Sequence, residues 1–423
     1  MKVFKFGGAS VKNAEAVKNV QSVINLFNDD LVVVISAMGK TTNGLEKVVA
    51  SYLNQDGKTQ EHLQDIKDFH FNILNDLFPN KKHPIYNEIH NTFVEIEWEI
   101  EGEAVREYDY VYDQIVSVGE MLSTKIVSAY LNENETKNTW VDVRNIIQTD
   151  NTYRNAKVDW KITEQFAQKE IKTKIDKGDK IIITQGFIGS SSELFTTTLG
   201  REGSDFSAGI LAYCLNADSV TIWKDVPGML NADPKWFDET EKLNNISYHE
   251  AVELAYYGAS VIHPKTIKPL HNKNIPLFVK SFVNPNEDGT LIDENTTKDS
   301  LIPSFIFKMN QVLISISAKD YSFIMEDNLS HIFGLFSEKG VKINLMQNSA
   351  ISFSVCVDFD QQKTPSLIDE LRKEYKVLYN ENLELVTIRH YDDKTIKRVT
   401  TNKKIIVEQK SRNTARFVMK NLD

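Results

Sequence analysis

Four short runs, Val3–Phe6, Leu31–Ile35, Lys180–Thr184 and Ser219–Trp223, are mostly apolar throughout rather than alternating in polarity. A strand that is apolar on both faces must be covered on both faces, as strands of a parallel sheet are. Helical spacing fills the intervals, at Ala14–Phe27, Thr59–Leu77, Gln114–Leu131 and Asp205–Leu215. Strands alternating with helices predict a three-layer α/β/α sandwich around a mainly parallel sheet. Two features interrupt the alternation. Residues 56–135 form a charged, helical insertion suited to lining or covering a site, and Ile188–Thr198, with its Gly-Ser-Ser-Ser turn, reads as a hairpin near the sheet edge.

The turn-rich segment Asn284-Pro285-Asn286-Glu287-Asp288-Gly289 ends this pattern, so the first domain is placed at 1–295 and the second at 302–423. In the second, Gln311–Ser317 reads as a strand, Asn328–Glu338 as a helix, Val341–Gln347 and Ile351–Asp358 as strands, Ser366–Glu374 as a helix and Lys376–Leu378 as a strand. That order, βαββαβ over 311–380, is the ferredoxin-like arrangement. Beyond it, 383–423 offers the strand-like pieces Leu383–Tyr391, Lys404–Glu408 and Arg416–Met419 with no helix between them.

The 423 residues allow two or three domains, and 41% hydrophobic with 26% charged residues is an ordinary globular mix. A formal net charge of −10 argues against general affinity for nucleic acid or an anionic membrane, since both need a concentrated positive field. Cys214 and Cys356 stand far apart with no metal-ligand spacing, so they read as two reduced thiols. The apolar start before Gly7 is too short for a signal peptide, and the chain contains no apolar run of transmembrane length. The expected location is the cytoplasm.

Chemistry-bearing residues gather at strand ends. Lys5-Phe6-Gly7-Gly8-Ala9-Ser10 sets a lysine and a glycine pair at a strand-to-helix turn, where backbone N–H groups approach an anion and an ammonium can neutralise a phosphoryl group. The same glycines can be steric necessities alone, and no Walker A loop is present. Ser36 through Asn43 place small hydroxyl residues at the end of the second strand, with Thr42 or Asn43 available as a helix cap. Gly119-Glu120 opens a helix with a carboxylate that can take a substrate ammonium or simply sit on a solvated first turn. Gly200-Arg201-Glu202-Gly203-Ser204-Asp205 offers an arginine to grip a carboxylate, while Ser204 and Asp205 are also plausible caps. Trp223-Lys224-Asp225-Val226-Pro227-Gly228, following a strand, and Asn231-Ala232-Asp233-Pro234 suit the edge of a nucleotide site, though Asp-Pro and Pro-Gly pairs are commonly just turns.

In order and spacing, Lys5–Ser10, Val34–Asn43, Gly119–Thr124, Thr184–Phe187, Thr196–Asp205, Trp223–Pro234 and Gly258–Pro264 resemble the aspartate kinase family, within the amino-acid-kinase fold. The run Glu250–Pro264 is especially characteristic. The resemblance implies transfer of the ATP γ-phosphate to the β-carboxylate of L-aspartate, giving 4-phospho-L-aspartate, the first step toward lysine, threonine and methionine. It implies a catalytic set of Lys5, Gly7, Gly8, Arg201 and Asp205, and an aspartate site of Ser36, Thr42, Glu120, Arg201 and Ser204. It implies nucleotide contacts from Lys5, Gly8, Ser10, Lys224, Asp225, Leu230, Lys235 and Ser260, with Mg²⁺ carried by ATP rather than by a protein site. A β-carboxylate with an ordinary pKa of ~3.9 is already ionised at neutral pH, so alignment and charge neutralisation, not a general base, are what the reaction requires. The alternatives are another amino-acid kinase of the same fold, or a catalytically impaired amino-acid sensor.

The chain departs from the commonest family pattern at Glu202, where glycine is frequent, and on the nucleotide side at Lys224, Leu230, Lys235 and Ser260. The βαββαβ unit resembles an ACT domain, which implies a homodimer through this region, and 383–423 reads as a reduced second ACT that keeps strands and has lost its helices. Asn344–Ala350, matching the stretch that helps hold lysine in lysine-inhibited relatives, has no carboxylate, and Met325-Glu326-Asp327-Asn328 replaces a glycine-containing turn. Either the region mainly dimerises or it binds an effector other than lysine; the first is preferred.

Overall fold

The computed structural model describes every residue except 260, 261, 321 and 423. Its chain groups into two compact units.

The first unit is built on a sheet ordered Thr139–Trp140, Ile181–Gln185, Leu31–Ile35, Lys2–Phe6, Ser219–Lys224, Leu277–Ser281, Thr290–Asp293 and Asn245–Ser247. The first six strands run parallel, and Thr290–Asp293 is antiparallel to its neighbour Leu277–Ser281. All five residues of Leu31–Ile35 are buried, as continuous apolarity required. Alternation sets the faces of the central strand: Phe4 and Phe6 join one large apolar cluster, while Lys5 points the other way, toward the helix Gly203–Leu215. Phe4 meets Trp223 edge-on at 5.5 Å, and the Phe6 and Trp223 rings stack at 6.0 Å.

The insertion is helical, comprising Thr59–Leu77, Ile85–Ile100, Tyr108–Val116 and Val118–Glu133. What the spacing read as one helix over Gln114–Leu131 is two, divided at Ser117. The hairpin Ile188–Ser191/Thr196–Thr198 does not extend the main sheet; with Gln148–Thr149 it forms a separate three-stranded sheet.

The second unit comprises Leu230–Glu241, Glu253–Ser260 and Asp299–Asp423. Its two early segments are not anticipated by a single division of the sequence between 295 and 302. Its antiparallel sheet runs Ile343–Asn348, Ser352–Asp358, Ser304–Ala318, Tyr375–Arg389, Thr414–Asn421 and Lys403–Lys410. Two 15-residue strands, Ser304–Ala318 and Tyr375–Arg389, pass through both halves of that sheet. The helices Glu326–Glu338 and Lys363–Glu374 cover the first half.

The tail has not lost its helices altogether: Asp393–Thr400 is helical, capped by Asp392, whose carboxylate accepts from the Thr395 amide at 2.7 Å. Its Ile396 and Val399 cover the second half of the sheet together with Ala232 and Phe237 from Leu230–Glu241. Phe237 stacks on Phe305 at 4.5 Å, with the Arg398 guanidinium 3.9 Å above its ring. The short early segment thus covers part of the apolar face that a second helix would otherwise hide.

Cys214 and Cys356 are buried free thiols, each pushed up to about 12 by burial. Among the described residues no helix is long and apolar enough to cross a membrane.

Candidate active site

The strands Lys2–Phe6, Leu31–Ile35, Ile181–Gln185 and Ser219–Lys224 are in register, Phe6 lying beside Ile35 and Trp223, and Ile35 beside Gln185. Their carboxyl ends therefore finish together, and parallel α/β sheets bind ligands at that edge. A cavity of about 540 Å³ opens there. It gathers Lys5, Ser36, Thr42, Glu120, Arg201, Ser204, Asp205 and Lys224 from segments distant in sequence.

Two helix beginnings face it. The helix Thr41–Asn54 starts one residue before Thr42, so Thr42 lines the cavity from the first turn instead of capping. The helix Gly203–Leu215 follows Glu202, and no side chain caps it. Ser204 and Asp205 lie inside its first turn, so neither is the cap the sequence also allowed. A helix N-terminus offers free amides and a positive dipole to an anion.

Close backbone contact explains the glycine pair. A Cβ on Gly8 would lie 2.8 Å from the carbonyl oxygens of Ala37 and Gly39, so the two strand-end turns pack together only with glycine there. Gly7 lies beside the Lys5 ammonium, and the buried Ser10 hydroxyl has no hydrogen-bond partner.

The charges form two poles. Lys5 Nζ is 2.6 Å from Asp205 Oδ1, and Lys224 Nζ is 3.8 Å from Asp205 Oδ2, with Lys5 and Asp205 almost fully buried. Arg201 is exposed at the rim. Glu120 is 3% exposed: Oε1 accepts from the Ala37 amide at 3.3 Å and Oε2 has no partner. Burial pushes its carboxyl up to about 8, opposed by that hydrogen bond and more weakly by Lys5. Glu120 is therefore not on a solvated first turn. A buried carboxyl with one oxygen unpartnered is one that a cationic ligand favours in its ionised form.

Glu202 adopts φ +55°, the left-handed region that favours glycine, and burial followed by the Asp205 charge pushes its carboxyl upward. The backbone here supplies a reason for glycine being frequent at this position.

Sequence reasoning missed Glu46, Tyr112, Arg154 and Thr198, which also line the cavity. The Tyr112 hydroxyl donates to Glu46 at 2.9 Å, and the Arg154 guanidinium lies 4.6 Å from the Tyr112 ring centre. Behind them Asp113, fully buried, accepts from Thr198 Oγ1, the Thr198 amide and the Arg154 amide, tying the insertion to the hairpin. Burial pushes it up to about 6 against those three bonds. An aspartate three residues before Val116 on a buried helix face was the available signal.

Not all expected nucleotide residues gather here. Asp225 is exposed in the turn after Lys224. Leu230 and Lys235 belong to the second unit and do not line this cavity. Ser260 lies outside the described residues.

Residues 1–281 match the amino acid kinase family. The lysine-sensitive aspartokinase 3 of Escherichia coli is 32% identical over 394 residues, covering 91% of this chain and 86% of that protein. The chain belongs to the aspartokinase family. Aspartokinase 1 of Arabidopsis thaliana chloroplasts is likewise 32% identical, over 88% of this chain and 67% of its own. The solved structure of E. coli aspartokinase III with lysine and aspartate superposes with a TM-score of 0.83 at 29% identity, covering all of this chain and 96% of that one. The same enzyme with aspartate and ADP gives 0.81, covering 99% and 96%. The activity is that of an aspartate kinase, consuming aspartate and ATP.

Proposed function

We propose that the cavity at the strand ends is where aspartate and the ATP γ-phosphate meet. The observation that carries this is the pairing of a cationic wall, Lys5, Lys224 and Arg201, with one buried, half-satisfied carboxyl, Glu120. Such a bipolar site suits a zwitterion with an extra carboxylate. Glu120 takes the ammonium of aspartate, Arg201 its α-carboxylate, and Ser36, Thr42 and Ser204 offer hydroxyls that fix its orientation. The β-carboxylate needs no activation; its problem is repulsion from the phosphate. Lys5 relieves it by shifting from Asp205 toward the transferring group, while Gly7, Gly8 and Ser10 let the phosphates approach the backbone. Lys224 and Asp225 lie on the nucleotide side; roles for Leu230 and Lys235 rest on the family resemblance alone.

Mg²⁺ fits this chemistry as a passenger of the nucleotide. Asp205, set between Lys5 and Lys224 in the cavity wall, is a carboxylate that would face such a phosphate-borne ion. When bound, it screens the β- and γ-phosphate charge. Lys5→Ala is the test: kcat falls by roughly 10²–10³ with the circular dichroism spectrum unchanged, as for loss of one electrostatic stabiliser. Turnover near that of the parent protein removes Lys5 from the mechanism.

The second unit is assigned to homodimerisation. Support comes from Phe323, Met325, Met346 and Ile351, which are 63, 55, 54 and 47% exposed, and from Ile343–Asn348, an edge strand.

A further inference from the structure

A second cavity, of about 490 Å³, lies in the first unit against the helices Gly203–Leu215 and Pro264–Asn272 and shares no residue with the candidate active site. Its apolar wall is aromatic: the Trp160 ring meets Tyr213 edge-on at 5.2 Å and Phe206 at 6.3 Å. Its polar wall carries Lys157, Lys265 and Lys268, and none of the described residues lining it is acidic. In a chain with 59 acidic and 49 basic residues, that is a local reversal of sign. The carboxylates of Asp150, Asp159 and Glu164 flank the lining segments, and each has other partners. Asp150 accepts from the Lys157 and Thr152 amides at 2.9 and 3.1 Å and shares the charge of Lys157. Asp159 accepts from the Ile162 amide as a helix cap, and Glu164 pairs with Lys273 at 3.1 Å. Among the described residues the Lys265 ammonium donates to the amide oxygen of Asn155, a neutral partner that an anion can displace.

From these walls we infer that the cavity is a binding site for a small aromatic anion of the phosphomonoester class. Its ring lies on Trp160, Tyr213 and Phe206, and its phosphate faces the three lysines. Aromatic faces hold a flat ring edge-on or offset, and a dianion suits several ammonium groups better than a monocarboxylate does. The cavity also has a route to the active site: Asn155 follows Arg154, and Phe206 follows Asp205, so each wall is one residue from a residue lining the other cavity. Occupancy is accordingly expected to alter the KM for aspartate.

The test uses the full chain and phenyl phosphate, phenol and inorganic phosphate as probes, with heats of binding measured by titration calorimetry. Phenyl phosphate binds saturably, and phenol and phosphate each bind at least about tenfold more weakly, because each lacks one half of the recognition. The Lys265→Ala/Lys268→Ala double variant and, separately, Trp160→Ala each weaken phenyl phosphate by about tenfold or more, while melting temperature and basal turnover hold. If phosphate alone binds as tightly as phenyl phosphate, the aromatic half is wrong and the proposal fails. It fails equally if phenyl phosphate shows no saturation through millimolar concentration, or if its affinity is unchanged in both variants. Binding of phenyl phosphate is independent of the assignments made for the first cavity; only the expected effect on the KM for aspartate rests on them.

Discussion

Glu120→Gln removes a proton that the unliganded site holds and aspartate must expel. With its carboxyl at about 8, Glu120 is mostly protonated at pH 7, at a ratio near 10:1. An ammonium placed against it favours the ionised form, so binding aspartate releases about 0.9 proton at that pH. The cost of ionising it first is about 1.4 kcal/mol at pH 7, a factor of about 11 in affinity. Between pH 6.5 and 8 the association constant therefore rises about 16-fold, and the rise flattens above 8. Calorimetric titrations of aspartate in buffers of different ionisation enthalpy read the proton directly. The parent protein shows the release; Glu120→Gln binds aspartate weakly and releases none. The sign for stability is the reverse. A carboxyl raised in the folded state favours the unliganded fold below its ordinary value and ceases to as pH climbs through 8. Aspartate affinity independent of pH across this window, or the same proton release in Glu120→Gln, would refute the assignment.

Two further outcomes follow from the packing. His70 is wholly buried, bonded through Nδ1 to the Ile66 carbonyl at 2.8 Å, and burial pulls it down to about 4, so the unfolded chain binds its proton first and stability falls as pH drops below 6.5. That costs about 2 kcal/mol between pH 7 and pH 5, a slope that urea midpoints should lose in His70→Leu. Glu202→Gly relieves a left-handed residue and a buried carboxyl, and should raise stability by on the order of 1 kcal/mol; a loss instead would mean that Glu202 is held there by a favourable contact.

The central strands were legible because Leu31–Ile35 is apolar on both faces, a pattern few other environments accept, and Ser219–Trp223 is a short β-branched run beside it in the alternation of strands and helices. The site was legible as far as it sits at strand ends: Lys5, Ser36 and Lys224 follow from register alone once those strands are placed. Arg154 and Asp113 were not, because the contacts that give them meaning join segments 41 to 85 residues apart. The tail helix escaped for a local reason. Asp-Lys-Thr-Ile-Lys-Arg-Val-Thr carries only two apolar residues, both β-branched, over eight helical positions, and its stability comes from the Asp392 cap and from covering a sheet. Nor does any local pattern say that Phe237, in a turn-rich stretch, completes the core beneath Phe305.

The most direct measurement is aspartate-dependent ATP turnover with Mg²⁺, the acyl phosphate trapped with hydroxylamine and glutamate run in parallel. The account predicts aspartyl hydroxamate in step with ADP, and none from glutamate. Folded, ATP-binding protein that yields no hydroxamate, or that yields it equally from glutamate, would contradict the reading of Lys5, Glu120 and Arg201 as an aspartate-phosphorylating site.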